Sequence, residues 1–190
     1  MTLVKERVVP FTIDVKASLF TIQAFAAGMV AVVAHSPKFA VRDFSGDISF
    51  NPENPERSSV SLSITTGSLE ILDEVRASDR REIERIMFDE VLEKSRYPKI
   101  EFKSSHVSAT KISENVFRLT VSGDLLLHGT NRGMRLDSQI VVGEESLRAQ
   151  GAFSVLQSDY GLKIASVAGG TLTLRDELKC GYFIVARRSD

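Results

Sequence analysis

The chain has 190 residues, a hydrophobic share of 43%, a charged share of 26% and a formal net charge of −1. This length and composition predict one soluble globular domain, residues 1–190, that can bury a sizeable core. A net charge near zero gives no general attraction to nucleic acid, and the single cysteine, Cys180, excludes an internal disulfide.

The first residues of the chain contain no apolar run of the kind that export signals carry. The first long apolar run, AFAAGMVAVVA at residues 24–34, is about half the length needed to span a bilayer. We therefore expect a cytoplasmic protein with no stable membrane insertion.

Most of the chain alternates apolar and polar residues with a period of two, which is typical of strands with one buried face. In SSVSLSI, for example, Val60, Leu62 and Ile64 alternate with serines. In chain order the strand-like stretches are VRDFSGDISF, SSVSLSI, PKIEFKSSHV, NVFRLTVSGDLLL, MRLDSQIVV, LRAQGAFSVLQ and the two halves of TLTLRDELKCGYFIVA. About eight short strands at this spacing predict a sandwich or a barrel.

One segment, residues 79–94, has helical periodicity instead. Its apolar residues share one face, which consists of Ile83, Ile86, Met87 and Val91. Asp79 and Glu82 have capping-box spacing, which predicts that the helix begins after Asp79. The apolar stripe predicts that this helix lies across an apolar surface.

Five stretches in this order resemble the YceI-like family of lipocalin-like lipid-binding proteins: FTIDVKASLFTI, FAVRDFSGDISFNPENPERSSVSLSI, RYPKIEFKSS, GDLLLHGTNRGMRLD and SDYGLK. The resemblance runs from about Phe11 to Val185. It implies a mainly β fold, an extended antiparallel eight-stranded lipocalin-like barrel with one covering α-helix. It also implies that the barrel holds a long-chain isoprenoid lipid, such as a polyprenyl chain or a quinone tail, and that the protein forms a homodimer.

The sequence departs from its relatives in three places. Many relatives begin with an export signal and are periplasmic, whereas this sequence predicts a cytoplasmic location. Relatives often follow the HGTN motif with a basic residue and proline, but here Gly133 follows Arg132. Residues 24–39 are also rich in alanine, which indicates a subgroup with its own ligand.

The three histidines, His35, His106 and His128, have none of the spacings of a zinc site, and we predict no metal or cofactor. Beside His128, Gly129 and Asn131 tolerate the positive φ that a tight hairpin needs. We therefore interpret His128 as a strand-end residue, which at the barrel mouth would contact a polar ligand head. As an alternative, His128 is a general base, which requires an oriented partner and a substrate within reach.

The eleven phenylalanines spread over most predicted elements and either fill a core or line a tunnel. The small residues Ala24, Ala26, Ala27 and Gly28 favour a tunnel, because small inward side chains leave room. We predict that the ligand-binding residues are Phe20, Phe39, Phe44, Phe88, Phe102, Leu125, Leu127, Phe153 and His128.

These observations predict non-enzymatic binding of an elongated apolar ligand, a polyisoprenoid or isoprenoid quinone, for transport, storage or sequestration. No catalytic residue is predicted, because the sequence contains no recognisable triad or carboxylate pair. Two alternatives remain open. One is an enzyme that acts on an apolar substrate in the same cavity with His35 or His128 as base. The other is a filled barrel that serves as a stress-response or interaction module.

Overall fold

The computed structural model describes residues 8–27, 36–167 and 172–189. Its helical segments are α1 (Ala77–Arg85), a π-helical segment (Ile86–Val91) and four 3₁₀ turns (Val15–Ala17, Pro55–Arg57, Thr66–Ser68 and Gln157–Tyr160). Its strands are β1 (Val9–Ile13), β2 (Leu19–Gln23), β3 (Lys38–Val41), β4 (Phe44–Phe50), β5 (Ser59–Thr65), β6 (Leu69–Ile71), β7 (Lys99–Lys111), β8 (Val116–Leu127), β9 (Thr130–Val142), β10 (Ser146–Leu156), β11 (Ser166–Val167), β12 (Leu172–Thr173) and β13 (Glu177–Arg188).

Eight long strands form a closed antiparallel barrel, which confirms the predicted fold class. Three of the eight are interrupted strands, namely β1 with β2, β3 with β4, and β5 with β6. Around the barrel the order is β1/β2, β3/β4, β5/β6, β7, β8, β9, β10 and β13, and the pairing of β1 with β13 closes the ring. A ring of eight strands has an interior that side chains can fill or that one ligand can occupy.

The alternation in the sequence decides which side chains face this interior. In β8, for example, Phe117, Leu119, Val121, Leu125 and Leu127 are all buried. They occupy every second position apart from a glycine between them, because successive side chains of a strand point to opposite faces.

The interruptions of the first three long strands lie beside each other. The 3₁₀ turn Val15–Ala17 separates β1 from β2, and the turn Thr66–Ser68 separates β5 from β6. The backbone N–H of Arg42, between β3 and β4, donates to the Ser68 carbonyl at 3.0 Å. Backbone groups therefore stay paired across the breaks, as buried backbone requires.

The helix covers a gap in the barrel wall and lies across an apolar surface, and the second of these features is what the sequence predicts. Among the described residues β6 pairs with β3 alone, and it therefore forms an edge of the wall. The chain then turns into α1, and the predicted stripe lies on the cavity side: Ile83, Ile86, Met87 and Val91. A helix over a sheet edge shields strand groups that would otherwise be open to another chain.

The predicted start of the helix is wrong. Helix α1 begins at Ala77, with Arg76 at the N-cap position and no side-chain cap, and Asp79 lies in its first turn. Farther along, the helix widens to π geometry, with the Leu92 N–H donating to the Met87 carbonyl at 2.9 Å. It ends where Glu93 takes a positive φ of 44°.

Aromatic side chains pack the end of the barrel that lies farthest from the helix. The rings of Phe50 and Phe117 have centroids 5.4 Å apart in an edge-to-face arrangement. Phe11, Phe50 and Leu147 are each only 1% exposed. These side chains narrow this end of the barrel, where Phe50 and Leu147 also border a cavity inside the barrel. None of the helices in the described part of the chain is both long and apolar enough to cross a membrane.

Candidate functional site

A cavity of about 930 Å³ lies inside the barrel. This volume is near the upper end of the range of roughly 300–1,000 Å³ for small-molecule sites. All eight long strands and the helix contribute to its wall. On β13 the wall runs from Leu178 to Ile184, which is about 20 Å along the strand at roughly 3.3 Å per residue.

Several inward side chains are only partly buried although they point to the middle of the barrel. Leu62, Leu136, Ala149 and Phe153 are examples, and each lines the cavity. Their uncovered surface faces the cavity instead of other side chains. The barrel is therefore packed at one end and hollow along much of its length, and its lining is overwhelmingly aliphatic and aromatic.

Six of the predicted site residues line this cavity: Phe20, Phe39, Phe102, Leu125, Leu127 and Phe153. They come from β2, β3, β7, β8 and β10, so the topology gathers residues from both halves of the sequence. Of the small residues, Ala24 also lines the cavity, whereas Gly28 and the candidate base His35 lie outside the described residues.

The other three predicted site residues, Phe44, Phe88 and His128, do not line the cavity. Phe44 is 3% exposed and packs behind the wall, with its ring 6.5 Å from that of Phe20. Phe88 lies off the apolar stripe of the helix, and the Lys94 ammonium lies 4.4 Å from its ring centroid. Alternation and helical periodicity give the inner side of an element, but they do not distinguish the cavity wall from the layer behind it.

His128 occupies the hairpin turn between β8 and β9. It and Gly129 both have positive φ, 51° and 73°, as a two-residue turn of type I′ requires. The expected positive φ at Asn131 is wrong, because that residue is already part of β9. The structural interpretation of His128 as a strand-end residue is therefore confirmed.

The His128 ring links the hairpin to the end of the helix. Its Nε2 lies 2.7 Å from Oε2 of Glu93, and its Nδ1 lies 3.3 Å from the carbonyl oxygen of Tyr160. The Tyr97 ring packs against it, with centroids 4.3 Å apart. Both polar partners are hydrogen-bond acceptors. These contacts hold the ring at the hairpin and outside the cavity wall.

The cavity mouth lies between the edge strand β6 and α1. The wall there contains four carboxylates and one guanidinium, from Asp73, Glu74, Arg76, Asp79 and Glu82. All of these except Asp73 are exposed, and Asp73 is half-buried, so this end of the cavity opens to solvent. An acidic rim repels anionic groups that approach it.

Two polar or reactive side chains of the wall were not predicted as site residues. Cys180 faces the cavity, and burial raises the pKa of its thiol to about 12. Tyr182 also faces the cavity, and burial raises the pKa of its phenol even though its hydrogen bond to Ser138 acts in the opposite direction. Alternation in KCGYFIV places both residues on one face, which is the signal that would have found them.

Within residues 8–27, 36–167 and 172–189, no three histidine, cysteine or carboxylate side chains are grouped so that they could hold a metal ion. Apart from the charged residues at its mouth, the cavity wall offers apolar surface, the Cys180 thiol, the Gln157 amide and a few hydroxyl groups.

The chain thus forms a closed lipocalin-like barrel around an apolar cavity, with one helix at the mouth. This geometry defines a class of barrel proteins. A family model described as the YceI-like domain matches residues 11–180. The chain therefore belongs to the YceI-like family, as its sequence stretches imply.

Solved structures share the fold. BcnA from Burkholderia cenocepacia is 16% identical, with a TM-score of 0.70 over 91% of this chain and 98% of that chain. A polyisoprenoid binding domain from Saccharophagus degradans is 12% identical, with a TM-score of 0.67 over 96% of this chain and 100% of that chain. The YCEI protein of Campylobacter jejuni is 16% identical, with a TM-score of 0.61 over 80% and 85%. A search of curated proteins gives no significant match.

Proposed function

We propose that this protein binds an elongated isoprenoid lipid non-covalently inside its barrel, for transport, storage or sequestration. The observation that carries the proposal is the apolar cavity of about 930 Å³, which is lined by inward side chains of every barrel strand. Removing hydrocarbon from water contributes about 0.8 kcal/mol per methylene. A long apolar chain can therefore bind tightly with few polar contacts.

Two further observations support the ligand class. The Saccharophagus degradans domain that shares the fold is described as polyisoprenoid-binding. The cavity is long in the strand direction, since the β13 part of the wall alone spans about 20 Å. This shape suits a slender chain better than a compact ring system.

Both rival functions are weaker on this geometry. A filled barrel has no place for the partly buried inward side chains Leu62 and Leu136, which face open space. An enzyme with His128 as base would need that ring at the substrate. Its nitrogens instead contact Glu93 and Tyr160 at the hairpin.

The test is extraction and uptake. Organic extraction of the purified protein, followed by mass spectrometry, is expected to yield a prenyl lipid, and extracted protein is expected to take up added polyprenol. Repeated clean extracts together with no uptake would remove the proposal. The homodimer implied by the family resemblance is a separate expectation, which light scattering of the same samples tests.

A matched pair of variants on β10 sharpens this experiment. Ala149 points into the cavity, whereas Ala152 on the same strand points outward and is exposed. Ala149→Trp is expected to fill part of the cavity and to reduce polyprenol uptake at least tenfold, whereas Ala152→Trp leaves uptake unchanged. Equal uptake by both variants would show that polyprenol binds elsewhere on the protein.

A further inference from the structure

A pair of hydroxyl groups interrupts the apolar wall in the middle of the cavity. Ser138 on β9 and Tyr182 on β13 both line the cavity, and Ser138 Oγ is hydrogen-bonded to Tyr182 Oη. They lie on either side of Gly151 on β10, which is the register partner of both. The tyrosine side chain thus crosses the wall over Gly151 to reach the serine.

Several contacts fix this arrangement. A Cβ on Gly151 would lie 2.4 Å from Tyr182 Oη, and the space for the phenol therefore depends on that glycine. The Tyr182 ring stacks with Phe20 at 6.4 Å between centroids, and it meets Phe153 at 6.3 Å. The pair lies well inside the cavity, because Tyr182 is four residues, or about 13 Å, along β13 from Leu178 near the mouth.

The two hydroxyls have unused hydrogen-bonding capacity. Each has one O–H donor and two acceptor lone pairs, and the bond between them uses one donor. Within the described part of the chain neither side-chain oxygen has another partner. One O–H therefore remains for a group inside the cavity, where an unpaired donor is costly. The wall also contains the buried amide of Gln157, but this group already donates to the Arg175 carbonyl at 2.9 Å.

The distribution of charge along the wall determines whether this donor can bind a charged or an uncharged acceptor oxygen of a ligand. All charged lining residues lie at the mouth, and Arg76 is the one cation among the described lining residues. A phosphate or carboxylate at the depth of Tyr182 would lose water without gaining a counter-charge, which is strongly unfavourable. An alcohol, carbonyl or ether oxygen carries no such penalty.

We infer that Ser138 and Tyr182 form a polar subsite that accepts one uncharged oxygen of the bound lipid, so that the polar end of the ligand enters the cavity first. This inference rests on the proposed function and narrows it to uncharged, oxygen-bearing isoprenoids. Prenyl phosphates are disfavoured twice, by the acidic mouth and by the uncharged interior.

Three probe compounds that share one chain test this inference on the purified full chain: geranylgeraniol, geranylgeranyl phosphate and the parent hydrocarbon without the hydroxyl. The wild-type protein is expected to bind the alcohol about fivefold more tightly than the hydrocarbon, the usual effect of one hydrogen bond. The phosphate is expected to bind least tightly of the three. The double variant Tyr182→Phe/Ser138→Ala, which removes both hydroxyls, is expected to abolish the preference for the alcohol and to leave hydrocarbon binding unchanged.

Tyr160→Phe is the matched control, because Tyr160 is buried outside this cavity wall. It removes a phenolic hydroxyl and is expected to retain the fivefold preference. Equal binding of alcohol and hydrocarbon to the wild-type protein, or an unchanged preference in the double variant Tyr182→Phe/Ser138→Ala, would overturn the subsite and leave lipid binding intact. A failure of all three compounds to bind would overturn the proposed function itself.

Discussion

Cys180 shows how the cavity wall changes the chemistry of a single residue. Its thiol faces an apolar space, and burial raises its pKa to about 12 because the thiolate would be poorly solvated there. Since the thiolate is the reactive form, a buried thiol of this kind is an inert part of the wall and not a nucleophile. Cys180 is a free, buried cysteine.

We expect Cys180 to react with a thiol reagent at pH 8 at least a hundredfold more slowly in the native protein than in the unfolded chain. The folded chain keeps a proton that the unfolded chain releases. The free energy of unfolding should therefore fall as pH rises from about 9 toward 12. Absorbance assays of thiol modification with and without denaturant check the rates. Equal rates in both states would contradict a buried, protonated thiol.

Gly151 is a second residue whose identity the cavity requires. A Cβ there would lie 2.4 Å from Tyr182 Oη and 2.6 Å from the Asp137 carbonyl oxygen. We expect Gly151→Ala to lower the free energy of unfolding by about 1–3 kcal/mol, because the wall would be overpacked. Gly133→Ala is the control, since no atom lies within 4 Å of a Cβ at that position. Urea unfolding measures the free energy of unfolding of both variants. Equal decreases in Gly151→Ala and Gly133→Ala would contradict overpacking at Gly151.

At the scale of elements, the helix is attached to the barrel at its C-terminal end. Glu93 and His128 are the two non-glycine residues with positive φ among those described, and their side chains are hydrogen-bonded to each other. A left-handed conformation outside glycine is uncommon and persists where surrounding contacts over-determine it. The hairpin turn and the helix end thus fix each other, while the wall segment 73–79 at the start of the helix forms the mouth.

We expect His128→Asn to lower the free energy of unfolding by about 1–2 kcal/mol. Asparagine tolerates positive φ but loses the ring contact with Tyr97 and the hydrogen bond to Glu93. Lys163→Gln is the comparison, because it removes an exposed 2.7 Å ion pair between Lys163 and Glu90 on the same helical segment and is expected to change stability by less than about 0.5 kcal/mol. Denaturant titrations measure both, and an equally small loss in His128→Asn would contradict a structural role for the pair.

At the scale of the whole molecule, local pattern was sufficient for most of the barrel strands and for the covering helix. It missed β1 and β2, and it counted the residues of β12, which pairs with β11 outside the barrel sheet. The period of two placed Val60, Leu62 and Ile64 on one face, and the 3.6-residue period found the stripe Ile83–Val91 that faces the cavity. The sequence pattern did not predict the register between strands, because register depends on which strands become neighbours. The Ser138–Gly151–Tyr182 row joins three strands, and no stretch of sequence displays it. The exclusion of Phe44 from the wall likewise depends on packing between layers.

The packed aromatic end has a consequence for how cargo would be exchanged. Because Phe50 and Phe117 obstruct that end, we expect a lipid bound as proposed to enter and leave through the acidic opening beside α1, so that an incoming lipid cannot displace it from behind. The bound lipid should therefore dissociate before a new one binds. The exchange rate should equal the dissociation rate constant at any excess of competitor lipid. Stopped-flow displacement with increasing concentrations of unlabelled lipid measures the exchange rate. A rate that increases with competitor concentration would indicate a second entrance to the cavity.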